Sequence, residues 1–158
     1  MGQIILVLGA FTLLIFMTMS VNVAISNRVD DTYQAQSIIA ATTLAQSMMN
    51  QVNQKAFDDS VVIRPIDTVS HLTPVLSLGK DAGEVYPNFD DIDDFNNYTR
   101  ADTITNGIFT TKVAVAYVNP ANLGVASLAR TFYKKITVTV TSRELRTIPI
   151  SLTRICSY

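Results

Sequence analysis

Residues Gly2 to Asn27, GQIILVLGAFTLLIFMTMSVNVAISN, decide the fold. They contain no charged side chain, and the first charge of the chain is Arg28. The stretch exceeds the about 20 apolar residues a helix needs to cross the ~30 Å hydrocarbon core of a bilayer. It lacks the form of a cleaved secretory signal, which opens on Lys or Arg, runs apolar for only ~7–15 residues and then meets a small-residue cleavage site. Here no basic residue comes first, and helical patterning continues past the end of the apolar run. Neither Gly nor Pro occurs from Ala10 to Asp59. The expectation is one N-terminal stalk helix over 1–57, apolar on all sides over 2–27 and amphipathic over 28–57.

In the second half, Tyr33, Ile38, Ala41, Ala45, Met48, Val52 and Ala56 recur mostly at steps of three and four, the signature of one helix face. Leu44 and Met49 widen that stripe. The opposite face carries Gln34, Gln36, Ser37, Thr42, Thr43, Gln46, Asn50, Gln51, Asn53 and Gln54, polar but uncharged. A solvated helix face holds more Lys and Glu than this. The stripe through Tyr33, Ile38, Ala41, Ala45, Met48 and Val52 is expected to pack the stalk onto a head. The uncharged face, with small residues such as Ala35 and Ala40, suits contact with neighbouring protein.

The head is expected over 58–158. Asp58-Asp59-Ser60 ends the helix, and Val61-Val62-Ile63 is a short apolar run stopped by Pro65. The region 64–106 reads as loop, with Pro74, Gly79, Gly83 and Pro87 as breakers and Val75, Leu76, Leu78, Val85 and Tyr86 as anchors. An irregular connection this long is usually functional. The period then becomes two. Strands are expected at about 107–118, 131–142 and 147–156. Phe109, Val113, Val115 and Tyr117 share one face of the first. Phe132, Ile136, Val138 and Val140 share one face of the second, with Tyr133, Lys135, Thr137, Thr139 and Thr141 opposite. Ile148, Ile150 and Leu152 share one face of the third, with Thr147, Ser151 and Thr153 opposite. Ala121–Arg130 is an excursion and Arg143–Arg146 a turn. This is a half-buried antiparallel meander whose apolar face needs a cover, and the stalk stripe supplies one. The fold class is α+β.

Composition excludes other classes. With 12 basic and 13 acidic residues the net charge is −1, and no basic run exceeds Lys134-Lys135, so no field for nucleic acid exists. The single cysteine, Cys156, excludes an internal disulfide scaffold. His71 is the only histidine. No Ser/His/Asp or Cys/His set can be assembled, so the chain is not expected to be an enzyme. Asn97-Tyr98-Thr99 matches a glycosylation sequon by pattern.

The order of long helix, loop-rich connection and C-terminal meander resembles a type IV pilin or pseudopilin over essentially the whole chain. The segment Asn88–Tyr98, NFDDIDDFNNY, resembles the F-D-D-[VI]-D-D-[YF]-[ND] stretch of minor-pilin-like proteins, notably those of the mannose-sensitive haemagglutinin pilus. Phe132–Ser142, FYKKITVTVTS, resembles the strand that follows it. The chain departs from the family at its start. Gly2 stands where a processing glycine would, with Gln3 after it, but no acidic residue occurs before Asp30. The glutamate of the family's apolar helix, its helix-bending proline and its paired cysteines are missing.

The resemblance implies a bacterial subunit of an extracellular helical filament, a homo-oligomer held as precursor in the inner membrane and extracted by a pilus assembly machinery. Ile5, Leu8, Phe11, Leu14, Phe16, Val21 and Ile25 would then pack in the filament core, with Gly9 allowing close approach. The alternatives are a pseudopilin of a secretion system and a membrane-anchored binding module that never polymerises.

The one constellation suited to a metal is Asp90, Asp91, Asp93 and Asp94, with Asp81, Glu84, Asn88, Asn96, Asn97 and Asp102 nearby. Calcium takes six to eight oxygen ligands of this kind. The other reading is a turn that caps itself through its Asp and Asn side chains, with Phe89, Ile92 and Phe95 pinned in the core. No other cofactor is implied.

Overall fold

The computed structural model describes residues 2–63, 65–146 and 148–158. The expected outward placement of Thr147 falls outside them. One helix, α1, runs unbroken over Gly2–Asn53. At 1.5 Å per residue its 52 residues span about 78 Å. Its hydroxyls do not compete with the helix, because they bond back to carbonyls one turn earlier. Thr12 donates to Gly9 O at 2.8 Å, Thr18 to Leu14 O at 3.0 Å and Thr42 to Ile38 O at 2.8 Å.

The helix stops before residue 57. Gln54 and Lys55 tighten onto Gln51 and Val52. The chain then turns into a parallel bridge with the acidic loop: Ala56 N–H donates to Asp90 O at 3.2 Å, and Ile92 N–H to Ala56 O at 2.9 Å. A tertiary partner for the Ala56 backbone ends the helix there. Asp58 caps a one-turn helix, α2 (Asp59–Ile63), its Oδ1 accepting Ser60 N–H at 3.1 Å. The short apolar run Val61–Ile63 forms the end of this helix.

Five antiparallel strands follow: β1 (Thr99–Ile104), β2 (Gly107–Asn119), β3 (Asn122–Ala126), β4 (Tyr133–Thr141) and β5 (Ile150–Ser157). The order across the sheet is β1-β2-β4-β5, and β3 pairs with the far end of β2. Val113 lies opposite Val138, and Val138 opposite Leu152. Two strands fall where irregular chain was expected. β1 occupies 99–104 of the 64–106 loop. Its Thr-Arg-Ala-Asp-Thr-Ile carries little apolar alternation, and the ladder to β2 and the hydrogen bond from Arg100 to the Tyr86 hydroxyl at 3.0 Å hold it in place. β3 lies in the 121–130 excursion and is exposed throughout.

The helix packs on the inward face of the sheet, which makes the chain an α+β protein. Ala41, Ala45, Met48, Met49 and Val52 meet Phe109, Val113, Val115, Ile136, Val138 and Val140 in one core. Alanines at 41 and 45 let the backbone approach the sheet. Each fully buried valine stabilises the head by about 1.5–3 kcal/mol.

Two residues of the expected stripe do not join. Tyr33 is 62% exposed and Ile38 41%. The head's lower edge ends at the 3-10 turn Arg143–Leu145, so the helix is buried only from Ser37 onward, and Tyr33 and Gln34 border an open cleft beside Arg143, Glu144 and Arg146. From there the buried line runs Ser37, Ala41, Ala45, Met48 and Val52. Ile38, one residue from Ser37, points about 100° away from it. Phe132 also precedes β4 rather than starting it; the first inward side chain of that strand is Lys134.

Candidate functional site

Two loci carry the chemistry of this chain. The first is the part of α1 outside the head. Over its apolar window none of the surface is buried, and the helix is long and apolar enough to cross a membrane. Ile5, Leu8, Phe11, Leu14, Phe16, Val21 and Ile25 are all exposed, and so are Ile4, Leu6, Val7, Leu13 and Ile15 between them. The apolar surface therefore runs all round the cylinder. A segment of this kind is stable in lipid or among other apolar helices, not in water. Further along, the face of α1 turned from the head carries no charge between Asp31 and Lys55. Ile38 and Ile39 stand exposed on it.

The second locus is the acidic loop, and the structure divides its four aspartates. Asp91 turns inward and caps backbone. Its Oδ1 accepts the N–H groups of Asp93 at 2.6 Å and Asp94 at 3.1 Å, and its Oδ2 that of Asp59 at 3.0 Å. Asp94 accepts from Asp81 N–H at 3.3 Å on Oδ1, and from Asp90 and Asp91 N–H at 3.1 and 3.4 Å on Oδ2. Asp93 points the other way, toward Lys134. The loop thus caps itself, with Phe89, Ile92 and Phe95 buried beneath it. Phe89 and Phe95 meet edge-on, ring centroids 5.0 Å apart, and Lys55 Nζ donates to Phe89 O.

What remains open to a cation is a different trio. Carboxylate oxygens of Glu84, Asp90 and Asp94 lie within 4.8 Å of one another. Asp91 and Asp93 are not part of it. Calcium would meet three carboxylates there, fewer oxygens than it takes, so water would complete its shell. Crowding raises several of these carboxyls. Contact with Asp94, then burial, pushes the Glu84 carboxyl up to about 7. Burial, contact with Asp90 and the charge of Asp91 push Asp59 up to about 7. Burial and the neighbouring Asp93 raise Asp91 to about 7, against the Asp94 N–H that favours its charged form.

Behind the loop lies a group that the residue pattern left unassigned. Lys134 is fully buried. Its Nζ donates to Asp93 Oδ2 at 2.8 Å, Asp58 Oδ2 at 3.2 Å and Phe57 O at 2.6 Å. It lies 4.3 Å from the Phe57 ring centroid and 5.2 Å from that of Tyr117. Burial alone would raise the Asp58 carboxyl, but hydrogen bonds from Thr73 and Ser60 and the Lys134 charge outweigh it and hold it below the usual value. Burial pushes Asp93 up to about 6 against the same lysine. A signal for this triad existed: Lys134 falls on the inward side of the Phe132-Lys134-Ile136-Val138 alternation, where a lysine demands buried carboxylates.

His71 sits exposed in a 3-10 turn, and Cys156 is half-buried with its thiol 3.5 Å from Asn53 Oδ1. No family model, curated protein or solved structure matches the chain.

Proposed function

We propose that the chain is a structural subunit of a surface filament that polymerises through its N-terminal helix. The observation that carries this reading is the helix itself. It continues rigidly out of the head with apolar side chains on every side and no hinge after Gly9. A simple anchor needs only the membrane-spanning part. A stiff helix that also keeps an uncharged, partly apolar outer face above the span is suited to packing beside copies of itself. Lipid holds the subunit before assembly. Transfer into a core of like helices keeps the same surface out of water, so the exchange costs little. The head stays outside as the covering layer.

The experiment is a charge in the proposed core. Leu14→Lys leaves a cation in a dry bundle without a partner, a cost of several kcal/mol. With the membrane fraction of the subunit unchanged, surface fibres containing this chain are expected to disappear. Normal fibres from that variant would contradict the reading. A variant and wild type that are both monomeric in the membrane, with no fibre from either, would favour an anchored binding module.

A further inference from the structure

We propose that Lys134 and Asp93 are joined in the folded head by an intramolecular isopeptide bond, with Asp58 as the general base for its formation. The inference does not depend on polymerisation. Amine and carboxyl are held together at 2.8 Å inside the head, the Lys134 and Asp58 side chains fully buried and that of Asp93 3% exposed. Fixing the two in place supplies the proximity that a condensation between free partners lacks. Phe57 and Tyr117 wall the amine. Such a pocket keeps out the water that would hydrolyse the product.

The two carboxylates are held differently, and that assigns their roles. Asp58 is fixed as an anion by backbone donors, Ser60 N–H on Oδ1 at 3.1 Å and Thr73 N–H on Oδ2 at 2.8 Å. Asp93 Oδ1 is buried and, among the described residues, makes no hydrogen bond, with the Thr73 hydroxyl beside the carboxyl. One Lys134 proton passes along the 2.8 Å hydrogen bond to Asp93, leaving a free amine beside a neutral carboxyl. The amine lone pair attacks Cγ of Asp93 and forms the C–N bond. Asp58 takes a second proton from Nζ of the adduct and delivers it to the Asp93 hydroxyl, the C–O bond breaks and water leaves. An ammonium and a carboxylate become a neutral amide and one water; no oxidant or cofactor enters, and Asp58 returns to its starting state. The product removes two charges from a site where burying each is unfavourable. It staples the start of β4 to the acidic loop beneath the end of α1.

The test is peptide mapping of the purified full chain by tandem mass spectrometry. The expected result is residues 81–100 joined to 131–135, one water lighter than the sum of the two, with trypsin failing to cut after Lys134. Recovery of both peptides linear and at full mass overturns the proposal. So does a dehydrated 81–100 peptide alone, which marks a cyclised aspartate rather than a cross-link. In Asp58→Asn, checked as folded by circular dichroism, loss of the link supports Asp58 as the base. A link that forms unchanged in that variant removes Asp58 from the step.

Discussion

In the unlinked head Lys134 is the one cation of the interior among the described residues, and Lys134→Met removes it. The methionine fills most of the space, so the loss is electrostatic rather than a cavity. Asp58 and Asp93 keep their burial and lose the charge that balances them, and the Phe57 carbonyl loses its donor. Removing one partner of a buried ion pair costs about 3–5 kcal/mol. Here one lysine serves two carboxylates, which places the loss at the upper end, about 5 kcal/mol. Any covalent link through Lys134 would be lost with it. For a chain of this size the unfolding midpoint falls by roughly 10–25 °C. The assay is thermal unfolding of the full chain in detergent, followed by near-ultraviolet circular dichroism. The pH dependence fixes the cause. Without the lysine, Asp93 holds its proton to higher pH in the folded head than in the unfolded chain, where its value is 3.8. The folded variant then binds more protons than the unfolded one, so its deficit shrinks as pH falls from about 8 to about 5. Adding Asp93→Leu to Lys134→Met is expected to recover part of the loss, because an apolar replacement leaves less charge unpaired. A loss below about 1 kcal/mol, or one that grows on acidification, would refute the assignment of the triad as the electrostatic core of the head.

The acidic loop gives a second pH effect. Asp59, Glu84 and Asp91 have carboxyls raised to about 7, so between their ordinary values and about pH 7 the folded head keeps protons that the unfolded chain releases. Stability is expected to fall as pH rises through that window, read as a lower melting temperature at pH about 8 than at about 5.5. Calcium on Glu84, Asp90 and Asp94 would restore the midpoint at the higher pH and lose that effect on chelation; a melting curve blind to both calcium and chelator removes calcium from the account. Ile38→Ser should leave head stability within about 0.5 kcal/mol, since Ile38 does not touch the head, yet lower the yield of fibres if the outer face of α1 meets neighbouring subunits. Gly107→Ala should destabilise the β1–β2 hairpin by about 1–3 kcal/mol, measured by thermal unfolding, because φ is +133° and the new Cβ would lie 2.8 Å from the Glu144 side chain.

The helix and the three main strands could be read from the chain because their signals are periodic and uninterrupted. Leu, Ile and Ala, with no Pro and no Gly after Gly9, give the stalk, and alternating Val and Thr give β2 and β4. The buried line of the helix was legible from Ala41 to Val52 and failed at Tyr33 and Ile38, since periodicity marks a face but not where its partner ends. β1 stayed hidden because an edge strand can be held by backbone pairing and one side-chain hydrogen bond, here Arg100 to Tyr86, neither of which needs apolar alternation. The Asn106-Gly107 pair at its hairpin was the signal to use. The acidic loop was legible as a cluster but not as three groups with separate tasks. Which aspartate caps, which meets the lysine and which faces solvent depends on contacts with Ala56, Asp59 and Asp81, residues far apart in sequence. Lys134 was missed for a related reason: a charge beside another charge reads as surface unless its place in the alternation is counted.

The most direct measurement for the central reading is an electron cryomicroscopy reconstruction of fibres sheared from cells that make this chain, with the subunit identified by mass. The account predicts fibres built from this chain, with residues 2–27 of every subunit bundled at the axis and the β-sheet heads outside. Fibres without this chain, or fibres in which those helices lie on the outer surface, would contradict it.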